Sequence, residues 1–153
     1  MTVPKTAKLG TMSYKVTSLK ASAFAGHKYL KTVSVSYLQT IPSKAFYKCP
    51  KLTTVTLGSG VKTVGSYAFY RCPKLSKVSV GAGVRSIGTK AFYGCGKLAT
   101  VYLKTTHLSS SKVGSKAFGG TYAKAKVKCY KKLSSYKKWL PKKGFSKKVR
   151  YYK

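Results

Sequence analysis

Residues 51–73 read KLTTVTLGSGVKTVGSYAFYRCP, and residues 74–96 read KLSKVSVGAGVRSIGTKAFYGCG. The two stretches align without a gap. Leu52, Val55, Leu57, Val61, Val64, Ala68, Phe69 and Cys72 recur as Leu75, Val78, Val80, Val84, Ile87, Ala91, Phe92 and Cys95. A repeat of this length with this spread of apolar positions specifies a solenoid. One unit has too little apolar surface to close on itself and must stack on its neighbours.

The same pattern extends in both directions. Residues 29–50, YLKTVSVSYLQTIPSKAFYKCP, form a unit shortened by one residue. Residues 97–121, KLATVYLKTTHLSSSKVGSKAFGGT, form the last, with a three-residue insertion before Val113. Residues 13–28 match the second half of a unit, with Val16, Leu19, Ala23 and Phe24 in register. Residues 1–12 carry Pro4 and Gly10, show no period, and read as a ragged entry. Phe24, Phe46, Phe69, Phe92 and Phe118 thus mark about five rungs, the first incomplete.

Within a rung, the alternation ending at Leu57 predicts a short strand, and the strands of successive rungs stack as a parallel sheet. Gly58 and Gly60, with Gly81 and Gly83 one rung on, turn the chain. Ser66 then reads as the N-cap of a single helical turn that carries Ala68, Phe69 and Cys72 inward, with Ser43, Thr89 and Ser115 at the same position. After Thr121 the pattern changes. Ala123, Ala125, Val127 and Cys129 alternate with lysines as a half-buried strand. Ser134 or Ser135 opens an amphipathic helix with Tyr136, Trp139 and Leu140 on one face, ended by Pro141 and Gly144. A final strand runs from Val149 to Tyr152. The expected architecture is an α/β repeat solenoid, a right-handed coil of short parallel strands and single-turn helices. Its repeats occupy residues 1–121, and a C-terminal β-α-β cap of the same domain occupies residues 122–153.

This organisation resembles the BspA-like leucine-rich repeats of bacterial surface proteins. The residues that carry the resemblance are Leu52 to Cys72 and Leu75 to Cys95, with looser matches from Leu30 to Cys49 and Leu98 to Phe118. The resemblance implies cell-surface display, adhesion and host or matrix binding without catalysis. It implies that the parent protein is secreted or displayed, although MTVPKTAKLG lacks the apolar core of a signal peptide. That start fits a cytosolic protein or a chain beginning inside a longer one. No apolar run is long enough to span a membrane.

Composition departs from that family. The 153 residues include 32 Lys plus Arg and no Asp or Glu, for a formal charge of +32. Asn is absent too, and Gln39 is the single glutamine. Like-charge repulsion across the fold is then relieved only by solvent and bound anions, and extended polyanions bind by releasing counter-ions. Carboxylate-based hydrolysis, Ser-His-Asp triads and carboxylate metal sites are excluded, so an enzyme is not expected. His27 and His107 stand alone in loop-like stretches. Cys49, Cys72 and Cys95 recur once per rung at an apolar position, as buried unpaired thiols do, rather than converging as zinc ligands. Neither a cofactor nor a metal is implied.

Candidate binding residues fall in ladders. Lys51, Lys74 and Lys97 share one repeat position, and Lys44, Lys90 and Lys116 share another, with Tyr67 in the gap. Lys48 and Arg71 share a third position, and Lys62 and Arg85 a fourth. The strand face offers Thr32, Ser34, Thr54, Thr56, Lys77, Ser79, Thr100 and Tyr102, followed by Lys126 and Lys128. Each set is either a solvated surface or a contact surface. Three readings stay open: a surface adhesion module with a protein or glycan on its strand face, a binder of acidic polymers including nucleic acid, and an acid-free engineered scaffold. Oligomeric state and ligand are not legible.

Overall fold

The computed structural model describes residues 1–2, 6–9, 12–15 and 18–153, with side chains for 1–2 and 18–153. In chain order the elements are β1 (Thr6–Leu9), β2 (Met12–Lys15), β3 (Thr32–Val35), β4 (Thr40–Ile41), β5 (Thr54–Leu57), β6 (Thr63–Val64), β7 (Lys77–Val80) and β8 (Ser86–Ile87). They continue as β9 (Thr100–Leu103), β10 (Lys126–Cys129), α1 (Leu133–Trp139) and β11 (Arg150–Tyr152). Short 3-10 turns lie at Ser110–Lys112 and Pro141–Lys143.

Strands from successive rungs form one all-parallel sheet in the order β11-β10-β9-β7-β5-β3. Alternation decides which face is which. Val33, Val35, Val55, Leu57, Val78, Val80, Val101, Leu103, Val127 and Cys129 all point into a core that runs without a break from Leu30 to Val149. A second, narrow parallel sheet, β4-β6-β8, runs along another side of the coil and is extended by a bridge from Ile87 to Val113. The 3-10 turn at Ser110–Lys112 takes up the three-residue insertion just before that bridge.

The third side differs from the helical turn expected after Ser66. Each rung makes two consecutive four-residue turns. The first is closed by Ala45 N–H donating to Pro42 O at 3.3 Å, and the second by Tyr47 N–H to Lys44 O at 3.0 Å. Lys44 has φ +57° as the third residue of the first turn, the geometry of a type II turn. Its equivalents are Ser22, Tyr67, Lys90 and Lys116, all at positive φ. A second positive-φ column follows at Gly26, Lys48, Arg71, Gly94 and Gly120. A helix would point these amides along the chain. Here alternate amides point at the next rung: Lys44, Phe46 and Lys48 donate to the carbonyls of Ser66, Ala68 and Tyr70 at 3.1, 2.8 and 2.8 Å. Ser43, Ser66, Thr89 and Ser115 are therefore second residues of turns, not helix caps.

The core behind these turns is a column of parallel phenylalanine rings. Centroids from Phe24 through Phe46, Phe69 and Phe92 to Phe118 are 5.1–5.4 Å apart, with planes tilted by 3–6°. Phe145 adds a sixth ring 4.4 Å beyond Phe118, so the column runs one step past the five rungs counted from sequence. Offset stacks of this kind contribute about 0.5–1.5 kcal/mol per pair beyond burial. Three of the Phe carbonyls are met by the cysteine of the next rung: Cys49, Cys72 and Cys95 thiols donate to Phe24, Phe46 and Phe69 O at 3.1–3.2 Å. The recurrent cysteine is thus a small buried side chain with a weak donor placed where the adjoining rung offers an acceptor. All four thiols are buried and free.

The paired glycines lie in turns as expected, closed by Val61 N–H donating to Gly58 O at 3.3 Å and Val84 N–H to Gly81 O at 3.2 Å, but the need for glycine there has a further cause. Gly58, Gly60, Gly81 and Gly83 are absent from the positive-φ residues. A Cβ at Gly60 would lie 2.3 Å from Ser36 O, and one at Gly83 1.8 Å from Ser59 O. Stacked backbones need that space.

At the C-terminal end, β10, α1 and β11 form the expected strand-helix-strand, with β10 and β11 parallel. Strand β10 begins at Lys126, leaving Ala123 exposed. Helix α1 begins at Leu133 after Lys132, without a serine cap. Tyr136, Trp139 and Leu140 are buried, and the Tyr136 hydroxyl donates to Thr105 O at 2.7 Å. The buried Thr105 hydroxyl in turn donates to Val84 O at 2.5 Å, tying α1 to the insertion. At the opposite end, β1 and β2 pair as an antiparallel hairpin where sequence reading saw a ragged entry. Thr2 bridges to Ser34, whose N–H donates to Met1 O at 2.9 Å. Leu19 and Phe24 pack against the core as expected, Ala23 is exposed, and Val16 lies outside the described residues.

A basic, tyrosine-bearing strand face

The outward side chains of the six-stranded sheet lie in two rows fixed by register. One row runs Thr32, Thr54, Lys77, Thr100, Lys126, Arg150, and the other Ser34, Thr56, Ser79, Tyr102, Lys128, Tyr152. Neighbours in a row are one strand apart, about 4.8 Å. The N-terminal part of each row carries hydroxyls and the C-terminal part carries cations and phenol rings. One position past the strands, Ser36, Gly58 and Gly81 give way to Lys104 and Tyr130.

The cations lie against the rings. Lys77 Nζ is 5.3 Å from the Tyr102 ring centre, Lys104 and Lys128 are 5.8 and 5.4 Å from Tyr130, and Lys128 is 5.9 Å from Tyr152. Thr56, Lys77, Ser79, Tyr102, Lys104 and Tyr130 line a shallow cleft of about 290 Å³. Beside it, Lys126, Lys137, Val149, Arg150, Tyr151 and Tyr152 line a larger groove of about 660 Å³. Tyr130 and Tyr152 are exposed, whereas Tyr136 and Trp139 belong to the core. The cap aromatics therefore divide between two roles.

Of the residues singled out from sequence, the fold gathers Lys77, Tyr102, Lys126 and Lys128 on this face. Lys51, Lys74 and Lys97 sit at the exposed bend before each strand, where Tyr29 takes the same place in the preceding rung with Lys51 Nζ 5.2 Å from its ring. Lys44, Lys90 and Lys116 belong to the first positive-φ column, and Lys48 and Arg71 to the second. Beside that side of the coil the Tyr47, Tyr70 and Tyr93 rings stack at 5.2 and 5.5 Å. Lys62 and Arg85 lie on the approach to β6 and β8, with Arg85 sharing a depression of about 410 Å³ with His107. These ladders occupy separate corners of the coil. Sequence reasoning carried the strand face to Lys126 and Lys128 but missed Lys104, Tyr130, Arg150 and Tyr152, which one more position past β9 and β10 and the pairing of β11 with β10 would have placed there.

The buried titratable groups are held neutral. Its neighbour Cys72, then burial, keeps the Cys49 thiol well above the ordinary range. Cys49 pulls Cys72 down, but Cys95 and burial more than offset it and leave Cys72 at about 12. Burial pushes Cys129 up to about 11 against the opposing pull of Lys137, and pushes Tyr136 up to about 12. Thiols in this state are poor nucleophiles. Among the described residues no group of three or more His, Cys, Asp or Glu side chains is placed to hold a metal, and no helix is long and apolar enough to cross a membrane.

Comparison with known proteins matches residues 8–124 to the BspA type leucine rich repeat region, in six copies. A leucine-rich repeat protein from Bacteroides ovatus superposes with a TM-score of 0.69 at 25% identity, over 100% of this chain and 42% of that one. A leucine rich cell surface protein from Faecalibacterium prausnitzii gives a TM-score of 0.43 at 22% identity, over 86% of this chain and 48% of that one. The chain therefore spans less than half the length of either solved protein. No curated protein matches.

Proposed function

The chain belongs to the BspA-type leucine-rich repeat family, and from that premise we propose that it is a non-catalytic binding module of a cell-surface protein, engaging its ligand through the six-stranded face. The observation that carries this reading is the register. Six strands place twelve outward side chains in two straight rows, and their opposite face is core. A rigid, regular surface of this kind is what repeat proteins offer to extended partners. The absence of side-chain carboxylates removes the usual acid–base pairs, and the buried thiols supply no nucleophile. Display at a surface follows from what the family resemblance implies.

The test is binding to arrayed matrix proteins and polysaccharides. Thr56→Trp adds bulk at an exposed point of the second row without changing charge. It is expected to weaken binding at least tenfold, while the Lys51→Gln/Lys74→Gln/Lys97→Gln variant, altered at the bends, stays within about threefold. The reverse order would move the ligand off the strand face. A second reading, binding of acidic polymers over the whole surface, is favoured by the +32 charge. Under it, affinity falls with the number of lysines removed regardless of where they lie.

A further inference from the structure

We propose that the C-terminal half of the strand face is a site for an anionic polysaccharide, bearing sulfate or carboxylate groups, centred on Tyr102, Tyr130 and Tyr152 with Lys77, Lys104 and Lys128. The proposal rests on the strand-face reading above and adds the ligand class and its position. Three properties coincide there; the turn side also sets cations over tyrosines, but its Tyr47, Tyr70 and Tyr93 rings cover one another's faces at 5.2 and 5.5 Å. The first is uncompensated charge: Lys126 and Arg150 stand on adjacent strands in register, and Lys128 faces both Tyr130 and Tyr152. No side-chain carboxylate in the chain offsets them, which leaves them open to a bound anion.

The second is the set of phenol rings, each with an ammonium over it at 5.3–5.9 Å. Sugar C–H faces rest on such rings, and the adjoining ammonium serves as counter-ion to a sulfate or carboxylate on the same residue. The third is hydroxyl density. Thr56, Ser79 and Thr100 continue the same two rows and line or adjoin the cleft, giving sugar hydroxyls their partners. Successive strands repeat at about 4.8 Å, so an extended polymer lying across them meets a cation, a ring or a hydroxyl at every strand.

The experiment is calorimetric titration of the full chain with heparin, dextran sulfate, unmodified dextran and single-stranded DNA at about 150 and 300 mM NaCl, the range over which generic phosphate-type binding is lost. Sulfated polymers are expected to bind at both salts and unmodified dextran at neither. Tyr130→Ser/Tyr152→Ser, which leaves charge unchanged, is expected to lose at least tenfold in heparin affinity. Lys104→Gln/Lys128→Gln is expected to lose at least tenfold, and Lys44→Gln/Lys116→Gln, with equal charge removed from the turn side, no more than about threefold. Equal losses in the two lysine pairs, or indifference to the tyrosines, would overturn the site. DNA binding with the same tyrosine dependence would overturn the ligand class. Failure of all sulfated polymers while Thr56→Trp still abolishes binding to an arrayed protein would overturn this proposal and leave the strand-face reading standing.

Discussion

Lys44 and Lys116 hold φ values of +57° and +49°, a region that favours glycine. One column along, the same chain already uses Gly26, Gly94 and Gly120 where Lys48 and Arg71 stand. A side chain in the left-handed region costs about 1–2 kcal/mol, and the extra unfolded-state freedom of glycine takes back about 0.5–1. Lys→Gly should therefore stabilise by about 0.5–1 kcal/mol at each site, and the two sites, three rungs apart, should add. Lys48, Arg71 and Lys90 are poorer choices because their cations lie over tyrosine rings, contacts a glycine would forfeit. Removing two positive charges from a +32 chain also relieves repulsion, so the control is Lys44→Ala/Lys116→Ala, which loses the charge and keeps the strain. Urea unfolding should rank the variants glycine, alanine, native. The glycine pair should melt about 2–8 °C above the alanine pair, given about 2–4 °C per kcal/mol at this chain length. Glycine variants no more stable than their alanine controls would mean that these turns are not left-handed, and that the rungs are joined differently from the account above.

Phe92→Ala, in the middle of the ring column, should cost about 3–5 kcal/mol by urea denaturation, whereas Phe92→Leu should cost markedly less. Cys129, raised to about 11, favours the folded state while the thiol is neutral. That contribution is complete below the ordinary thiol value of 9.0 and is lost as pH rises toward 11. The stability gap between the native chain and Cys129→Ala should thus narrow by about 2 kcal/mol between about pH 8 and 11, measured by parallel urea titrations. Trp139, the single tryptophan, is buried in the C-terminal unit. If residues 122–153 and the repeats form one cooperative domain, its fluorescence and the far-UV circular dichroism should report the same midpoint. Separated midpoints would divide the chain in two.

Much of this was legible in the sequence because the repeat is nearly uninterrupted. The alternation at Thr54 to Leu57, the Phe column and the inward cysteines each follow from one apolar pattern read several times over. The turns did not. Ala68, Phe69 and Cys72 have a spacing that suits one helical turn, and the deciding factor, the Ala91 carbonyl waiting for Phe69 N–H at 2.8 Å, belongs to another rung. The paired glycines were legible as turn residues, but their crowding against Ser36 and Ser59 exists only once rungs stack. The β1–β2 hairpin has arms of four residues, too short to announce a period. Lys104, Tyr130, Arg150 and Tyr152 were missed for another reason. Lys104 and Tyr130 stand one position past their strands, and Arg150 and Tyr152 join the face only because β11 pairs with β10 across the intervening helix.

The hydrogen bonds between rungs run along the coil, not around it. Strand pairs such as β5–β7, the Gly65 and Gly88 amides of the narrow sheet, and the Phe amides on the turn side all cross from one rung to its neighbour. A pull on the two ends of the coil therefore loads each interface as a zipper opened across its teeth, and interfaces fail one after another instead of sharing the load. Each of the two regular rungs releases 23 residues, about 80 Å of contour at roughly 3.3–3.6 Å per residue, and the rungs on either side slightly less or more. A coil built this way lengthens in nearly equal steps and keeps its remaining rungs, with their strand face, intact until their turn comes.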